Sequence, residues 1–86
     1  MTRAPSYVQR IALSVLAWGG YLDPVEPGES APRLYNGENA WVAYVHRSTF
    51  HVLLRRGWLD DAFGPTGRQR YVASPTGREA SQAYRP

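Results

Sequence analysis

The first predicted helix rests on apolar residues that recur with the helical period over residues 7–18. Ser6 precedes them and is a favourable N-cap residue, and Gly19-Gly20 follows them. Glycine ends helices well because it adopts the left-handed conformation without steric cost. Apolar residues at i, i+3, i+4 and i+7 predict one buried stripe. That stripe consists of Val8, Ile11, Ala12, Val15 and Leu16.

A second helix is predicted over residues 49–56, between Ser48 as its capping residue and Gly57 as its stop. Its apolar residues fall on one side, so this side is expected to face the core. The expected buried residues are Phe50, Leu53 and Leu54.

The C-terminal third predicts a β-hairpin followed by a helix. Over residues 58–74, the strings WLDDAF and QRYVAS flank the Gly/Pro loop GPTG, an arrangement typical of two short strands and a turn. Ser74-Pro75 then combines a capping residue with proline at the first helical position. We therefore predict a last helix over residues 75–84.

The segment between the first two helices is open to two interpretations. Residues 23–33 contain three prolines and are expected to form a surface loop with neither helix nor strand. Asn36-Gly37 then predicts a hairpin, because both residues tolerate the positive φ of a type I′ turn. Alternatively, Asn36 caps a short helix that runs through Ala43. The aromatic and β-branched residues of WVAYV favour the hairpin.

Composition limits the class of protein. The chain has 86 residues, enough for a single domain over residues 1–86, and 43% of them are hydrophobic, enough for a small core. It contains no cysteine, which excludes disulfides and zinc sites with Cys ligands. The uncharged stretch from Ile11 to Leu22 is shorter than the roughly 20 residues of a membrane span. The N-terminus lacks the apolar run of a signal peptide, so we expect a cytoplasmic protein without a membrane segment.

The charge is uneven along the chain. All ten basic residues are arginine, which codon bias in a GC-rich genome explains simply, although arginine also suits phosphate and guanine contacts. Residues 1–45 hold three Arg and four acidic residues, a net charge of −1. Residues 46–86 hold seven Arg and three acidic residues, a net charge of +4. The positive field is therefore expected in the C-terminal half.

No pattern of catalytic residues stands out. The chain lacks a P-loop, a nucleophile elbow and an H-E-x-x-H string. His46 and His51 are five residues apart, and a helix would turn them about 140° away from each other. Asp60 and Asp61 are adjacent in a predicted strand and would point to opposite faces. We expect no enzyme, no cofactor and no metal site.

Two strings of the C-terminal half resemble the winged helix-turn-helix family of bacterial regulators. Residues 53–59, LLRRGWL, resemble the family pattern L-x-R-R-G-L-[IL] at the end of the recognition helix. Residues 71–80, YVASPTGREA, resemble its pattern Y-x-L-T-P-x-G-R-E-A after the wing. The resemblance implies an α+β fold, a small winged helix-turn-helix domain with a two-stranded wing and a short C-terminal helix. Between Gly20 and Ala40 the chain departs from the family, which usually has a second helix there.

The function that this resemblance implies is sequence-specific binding of double-stranded DNA by a small transcriptional regulator, and the size suggests a phage or mobile-element type. The recognition helix would present its outward and N-terminal residues to the major groove, and the wing would reach the minor groove or the backbone. The expected DNA-binding residues are Arg47, Ser48, Thr49, His51, Val52 and Arg55 on the helix, and Arg68 and Arg70 on the wing.

A protein partner is the alternative. A protein-binding winged helix, acting as an inhibitor or adaptor, would explain Asp60 and Asp61 on the wing, where carboxylates repel phosphate. Three Trp and two Phe can fill a small core, and Trp18, Trp41, Phe50 and Trp58 are expected there. The tyrosines exceed what such a core can bury and favour a protein interface, a homodimer included. These surplus tyrosines are Tyr7, Tyr21, Tyr35, Tyr44 and Tyr84.

Overall fold

The chain folds into a layer of helices on one face of an antiparallel sheet. A computed structural model describes residues 6–24, 31–65 and 67–83. The elements of these residues, in chain order, are α1 Tyr7–Ala17, β1 Tyr21–Asp23, β2 Arg33–Tyr35, β3 Trp41–Tyr44, α2 Arg47–Arg55, β4 Leu59–Phe63, β5 Gln69–Ala73 and α3 Pro75–Ala83.

The sheet has five strands in the order β3-β2-β1-β5-β4. β1 lies in the centre and joins two hairpins, because Leu22 pairs with Leu34 of β2 on one side and with Tyr71 of β5 on the other. These three residues therefore share the face of the sheet that the helices cover. Leu59 and Ala73, a pair of the β4–β5 ladder, continue the buried face.

The core lies between this face and the helices. α1 packs against α3, β5 and β1, and it also touches α2. Phe50, Leu54 and Tyr71 are partly buried against the core. The buried apolar residues are Ala12, Leu13, Leu16, Leu22, Leu34, Val45, Leu53, Trp58, Leu59, Ala73 and Ala80.

The predicted winged-helix layout is wrong. The described residues form three helices and five antiparallel strands, whereas a winged helix typically has three helices and three strands. Between α1 and α2 the chain forms three strands in place of a second helix. The physical reason is that Pro32 has no N–H to donate to a helix and that the loop after Tyr35, closed by hydrogen bonds between Asn36 and Ala40, reverses the chain, so a hairpin extends the sheet instead.

The preferred prediction of a hairpin after residue 33 is confirmed, but its turn differs from the expected type I′. The loop spans residues 36–40, and Asn36 Oδ1 accepts hydrogen bonds from the N–H groups of Glu38 at 2.9 Å and Ala40 at 3.0 Å. Asn39, with φ of 63°, takes the left-handed conformation. The side chain of Asn36 thus organises a wider turn than Asn-Gly alone predicts.

Two boundaries differ from the prediction. The loop predicted over residues 23–33 is shorter, because Asp23 and Arg33 pair with each other as strand residues, and residues 25–30 lie outside the described part. α2 begins at Arg47, and His46 rather than Ser48 is its N-cap. His46 Nδ1 accepts from the N–H of Ser48 at 3.2 Å and lies 2.8 Å from Ser48 Oγ.

The cap predicted for α1 is confirmed, and its buried stripe is confirmed in part, because Ala12 and Leu16 are buried and Val15 packs against the core, whereas Val8 is exposed. Ser6 Oγ accepts from the N–H of Gln9, and Gln9 Oε1 accepts from the N–H of Ser6, which completes a capping box. Leu13, absent from the predicted stripe, has 0% of its surface exposed, and Ile11 is 36% exposed. The buried residues of α1 are Ala12, Leu13 and Leu16.

The tryptophans divide differently from the prediction. Trp58 is 5% exposed and belongs to the core as expected, but Trp18 is 85% exposed and Trp41 is 54% exposed. Trp18 follows the last turn of α1 on the side away from the core, and Trp41 opens the edge strand β3. Tyr84, one of the predicted surface tyrosines, lies outside the described residues, as does the predicted end of the last helix.

The start of α3 is hydrogen-bonded to the segment that follows α2. Ser74 Oγ donates to the carbonyl oxygen of Gly57 at 2.6 Å and accepts from the N–H of Gly77 at 3.0 Å. A Cβ at Gly77 would collide with the carbonyl oxygen of Trp58, so glycine permits this close approach. Residues of the S-P-T-G string therefore set the position of α2 relative to the β4–β5 hairpin.

Candidate nucleic-acid interface

The solvent-facing side of α2 carries most of the predicted DNA-binding residues. Arg47, His51 and Arg55 follow each other at intervals of four residues and are all exposed. Such spacing places side chains in a row along one side of a helix. Ser48 is exposed beside this row. We call the surface formed by Arg47, Ser48, His51 and Arg55 the α2 basic face.

The opposite side of α2 holds the helix in place. Leu53 is fully buried, and the ring of Phe50 meets the ring of Tyr71 edge to face at a centroid distance of 5.2 Å. This arrangement matches the predicted inward side. Thr49 and Val52, the other two predicted contacts on α2, are half-buried. At about 100° per residue, Val52 borders the α2 basic face, whereas Thr49 lies beyond it, next to the buried Leu53.

The α2 basic face has no acidic neighbour in sequence. No Asp or Glu occurs from His46 to Leu59, so the helix and its two ends have only positive or neutral side chains. Arg56 is turned back toward the domain, because its guanidinium carbon lies 4.9 Å from the centroid of the Trp58 ring. Arg56 and Arg55 therefore differ in placement although they are adjacent.

The β4–β5 hairpin places its two predicted arginines differently. Arg68 is exposed at the end of a tight turn in which the N–H of Gly64 donates to the carbonyl oxygen of Arg68 at 2.9 Å. Arg70 is half-buried, and its guanidinium carbon lies 3.8 Å from the centroid of the Tyr21 ring. Because Tyr21 precedes Leu22 in β1, it lies on the face of the sheet opposite the helices. The structure thus separates Arg70 from α2.

That open face is a feature that sequence reasoning missed. The rings of Tyr21 and Tyr35 stack at 5.1 Å with 15° between their planes, and Trp41 meets Tyr44 edge to face at 5.5 Å. The sequence signal is the alternation of YLD and RLY, each a leucine between two larger or charged residues. Three-residue strands are too short for this signal to be read without knowing their partners.

The described residues were compared with what a metal site and a membrane-spanning helix require. Across residues 6–24, 31–65 and 67–83, no three His, Asp or Glu side chains come together as a metal site would require. Asp61 Oδ1 accepts from Gln69 Nε2 at 3.3 Å, across the β4–β5 pair. Within the same residues, no helix combines the length and apolar character that a membrane span requires.

Comparison with models of known protein families, with curated proteins and with solved structures gave no match. The physical features of the described surfaces therefore carry the functional argument alone.

Proposed function

We propose that this chain binds double-stranded DNA with the α2 basic face. The observation that carries the proposal is the row of exposed Arg47, His51 and Arg55 on a helix whose own sequence contains no acidic residue. α2 has nine residues and is therefore about 13 Å long. An α-helix with its side chains is about 10–12 Å across, which fits the major groove, about 12 Å wide.

Each side chain has a proposed role. Arg47, Ser48 and His51 lie in the first part of α2 and would contact base edges or adjacent phosphates, with Thr49 and Val52 at the margin of the contact. Arg55, one turn further along, and Arg68, on the β4–β5 hairpin, would contact phosphates. Arg70 is left out of this set because its guanidinium stacks on Tyr21. A small transcriptional regulator acting in the cytoplasm fits such a surface.

A second candidate function is protein binding, and the observation that favours it is the exposure of large apolar side chains. Trp18 is 85% exposed and Phe63, at the end of the edge strand β4, is 71% exposed. Aromatic side chains are enriched at protein interfaces. Binding to a protein and binding to DNA differ in salt dependence, which gives the test.

The test is a titration of labelled duplex DNA with the full chain at several salt concentrations, using random-sequence duplexes and then genomic fragments. Release of counterions from phosphates makes the affinity fall steeply with salt, with a slope of about −0.9 for each phosphate contact. Arg55→Ala should make the slope about one contact shallower. Arg78→Ala, a control that removes the same charge from an exposed position on α3, should leave it near the wild-type value.

Absence of DNA binding at low salt would refute the proposal and leave protein binding as the better candidate. Equal losses in Arg55→Ala and Arg78→Ala would also contradict it, because they would indicate attraction by net charge rather than by the α2 basic face.

A further inference from the structure

α1 is apolar on two opposite sides. Its solvent-facing side carries Val8, which is 56% exposed, and Ile11, which is 36% exposed, and Trp18 extends the row with 85% exposed. Val15 completes the row at its inner border, where it is half-buried and packs against the core. Tyr7, 62% exposed, flanks the start of the row. We call these five residues the α1 outer stripe. It contains no charged side chain.

Apart from Val15, the residues of the α1 outer stripe lie away from the core. At about 100° per residue, Ile11 and Leu13 point roughly 160° apart, and Leu13 is fully buried. Exposed apolar patches of a few hundred Å² on small proteins commonly mark interaction sites. The outer side of α1 therefore needs an occupant.

We propose that the occupant is a second copy of this chain, whose α1 packs antiparallel against the first about a twofold axis. The stripe is symmetric about the level of residue 13, since Val8 and Trp18 lie five residues on either side, and Ile11 and Val15 lie two. A twofold axis at this level places Ile11 against the partner's Val15. It also places Val8 against the partner's Trp18.

The spacing of the stripe fits helix pairing. Val8, Ile11, Val15 and Trp18 are separated by three, four and three positions. This is the spacing of the a and d positions of a coiled coil, whose side chains interlock with those of a partner helix. A twofold interface must be complementary to itself, because each patch meets its own copy. The α1 outer stripe meets this condition in the antiparallel direction, with a large side chain opposite a small one at both ends.

The ends of the stripe also favour the antiparallel direction. A shallow depression beside Trp18 is lined by Ser14, Val15, Trp18 itself and the turn residues Asn36 to Glu38. The partner's Tyr7 would be level with this depression, because position 7 mirrors position 19. The exposed Glu38 lies at this end, whereas Arg10 lies near the other end of α1. Antiparallel pairing brings these opposite charges together, whereas parallel pairing separates them.

The area is of the order that a dimer needs. Two aromatic side chains with 150–250 Å² each, together with three aliphatic ones, give the stripe an exposed surface of about 500 Å² at the fractions above. A standard interface buries about 800 Å² on each partner. The depression beside Trp18 supplies further contact, so we expect a reversible dimer with an interface at the small end of the specific range.

The first test measures the mass of the wild-type chain in solution by sedimentation over about 1 μM to 1 mM. The proposal expects a monomer–dimer equilibrium that Ile11→Asp weakens at least tenfold. Val42→Asp is the matched control, because Val42 is 38% exposed on the edge strand β3 and lies outside the stripe. Trp18→Ser should weaken the dimer similarly, and because Trp18 is 85% exposed, this substitution removes no core contact on which folding depends.

A wild-type chain that remains monomeric up to 1 mM would overturn the proposal and leave another protein as the occupant of the stripe. Dimers that survive both Ile11→Asp and Trp18→Ser would overturn it as well, because the interface would then lie elsewhere.

The direction is tested with introduced cysteines, which is straightforward because the chain has none. Ile11→Cys chains mixed with tagged Val15→Cys chains should form the mixed disulfide in preference to either self-pair, since a disulfide requires Cα atoms within about 7 Å. Preferential self-pairing of Ile11→Cys would indicate parallel helices and contradict the antiparallel arrangement. No readout here involves DNA, so this inference and the proposed function can fail separately.

Discussion

The two helices α1 and α2 contact the same core but differ on their solvent-facing sides. α1 presents an uncharged apolar stripe with Trp18 85% exposed, whereas α2 presents a row of Arg and His residues. The inner sides are similar, with Leu13 and Leu53 both fully buried. The helices thus differ in their solvent-facing side chains, which contribute less to folding than the buried ones. We infer from this difference that α1 faces another protein chain and α2 faces a polyanion.

The contrast also explains why periodicity predicted one helix correctly and the other only in part. α2 has a single apolar side, so a count of apolar residues at helical spacing finds the side that is buried. α1 has two, and the predicted stripe combined Ala12 and Leu16 from the inner side with Val8 and Ile11 from the outer side. Leu13 was left out because it lies off the centre of that mixed stripe.

The largest expected effect separates the two sides of α1. Leu13→Ala should lower the free energy of unfolding by about 2–5 kcal/mol, because it leaves a cavity in the core. Ile11→Ala should cost less than about 1 kcal/mol in dilute, monomeric protein, since Ile11 is already 36% exposed. Urea unfolding monitored by circular dichroism measures both. A larger loss for Ile11→Ala than for Leu13→Ala would mean that α1 is rotated and that the predicted stripe was correct.

The same distinction limits how much of the fold the sequence could predict. α2, the β4–β5 hairpin and α3 have local signals, namely caps, Gly stops and alternating residues, and they occur close to the predicted positions. β1 has only three residues, Tyr21 to Asp23, and exists because Leu22 pairs with strands on both sides. No local pattern reveals such pairing. The strand order of the whole sheet could therefore not be predicted from local sequence patterns, and the resemblance to winged helix-turn-helix proteins predicted a different layout.

The candidate site was predictable to a similar extent. Four of the residues expected on α2 are exposed as a set, because a single apolar side fixes the outward direction. Arg70 was expected beside Arg68, but it stacks on Tyr21, a residue 49 positions earlier. This contact depends on β1 and β5 being neighbours. The α1 outer stripe was missed because four of its five residues were assigned to the core, and Tyr7 alone was expected at the surface. The four are Val8, Ile11, Val15 and Trp18.

An effect of intermediate size tests base recognition by α2. Replacing Thr49 and His51 together with alanine removes hydrogen-bonding groups but no Arg charge. Binding to random DNA should persist, because phosphate contacts carry it. Preference for the cognate site should fall by about 1–3 kcal/mol for each lost base contact. Competition between cognate and random duplexes measures this preference. Unchanged discrimination would mean that α2 does not contact bases, and it would reduce the contrast between the two helices to one of charge.

The smallest effects come from two neighbouring arginines at the end of α2. Arg56 stacks on the buried Trp58, so Arg56→Ala should lower the free energy of unfolding by about 1 kcal/mol, as expected for a partly buried cation–π pair, and leave the salt slope of DNA binding unchanged. Arg55 belongs to the α2 basic face, so Arg55→Ala should change stability by less than about 0.5 kcal/mol and make that slope shallower. Each variant is the control for the other, because both remove one arginine from the same turn.

If both variants weakened DNA binding alike, the α2 basic face would extend over Arg56, and Arg56 would leave Trp58 to contact DNA. If both variants lowered the free energy of unfolding alike, Arg55 would stabilise the fold as Arg56 does. The chemical difference between the exposed sides of α1 and α2 would then not indicate different binding partners.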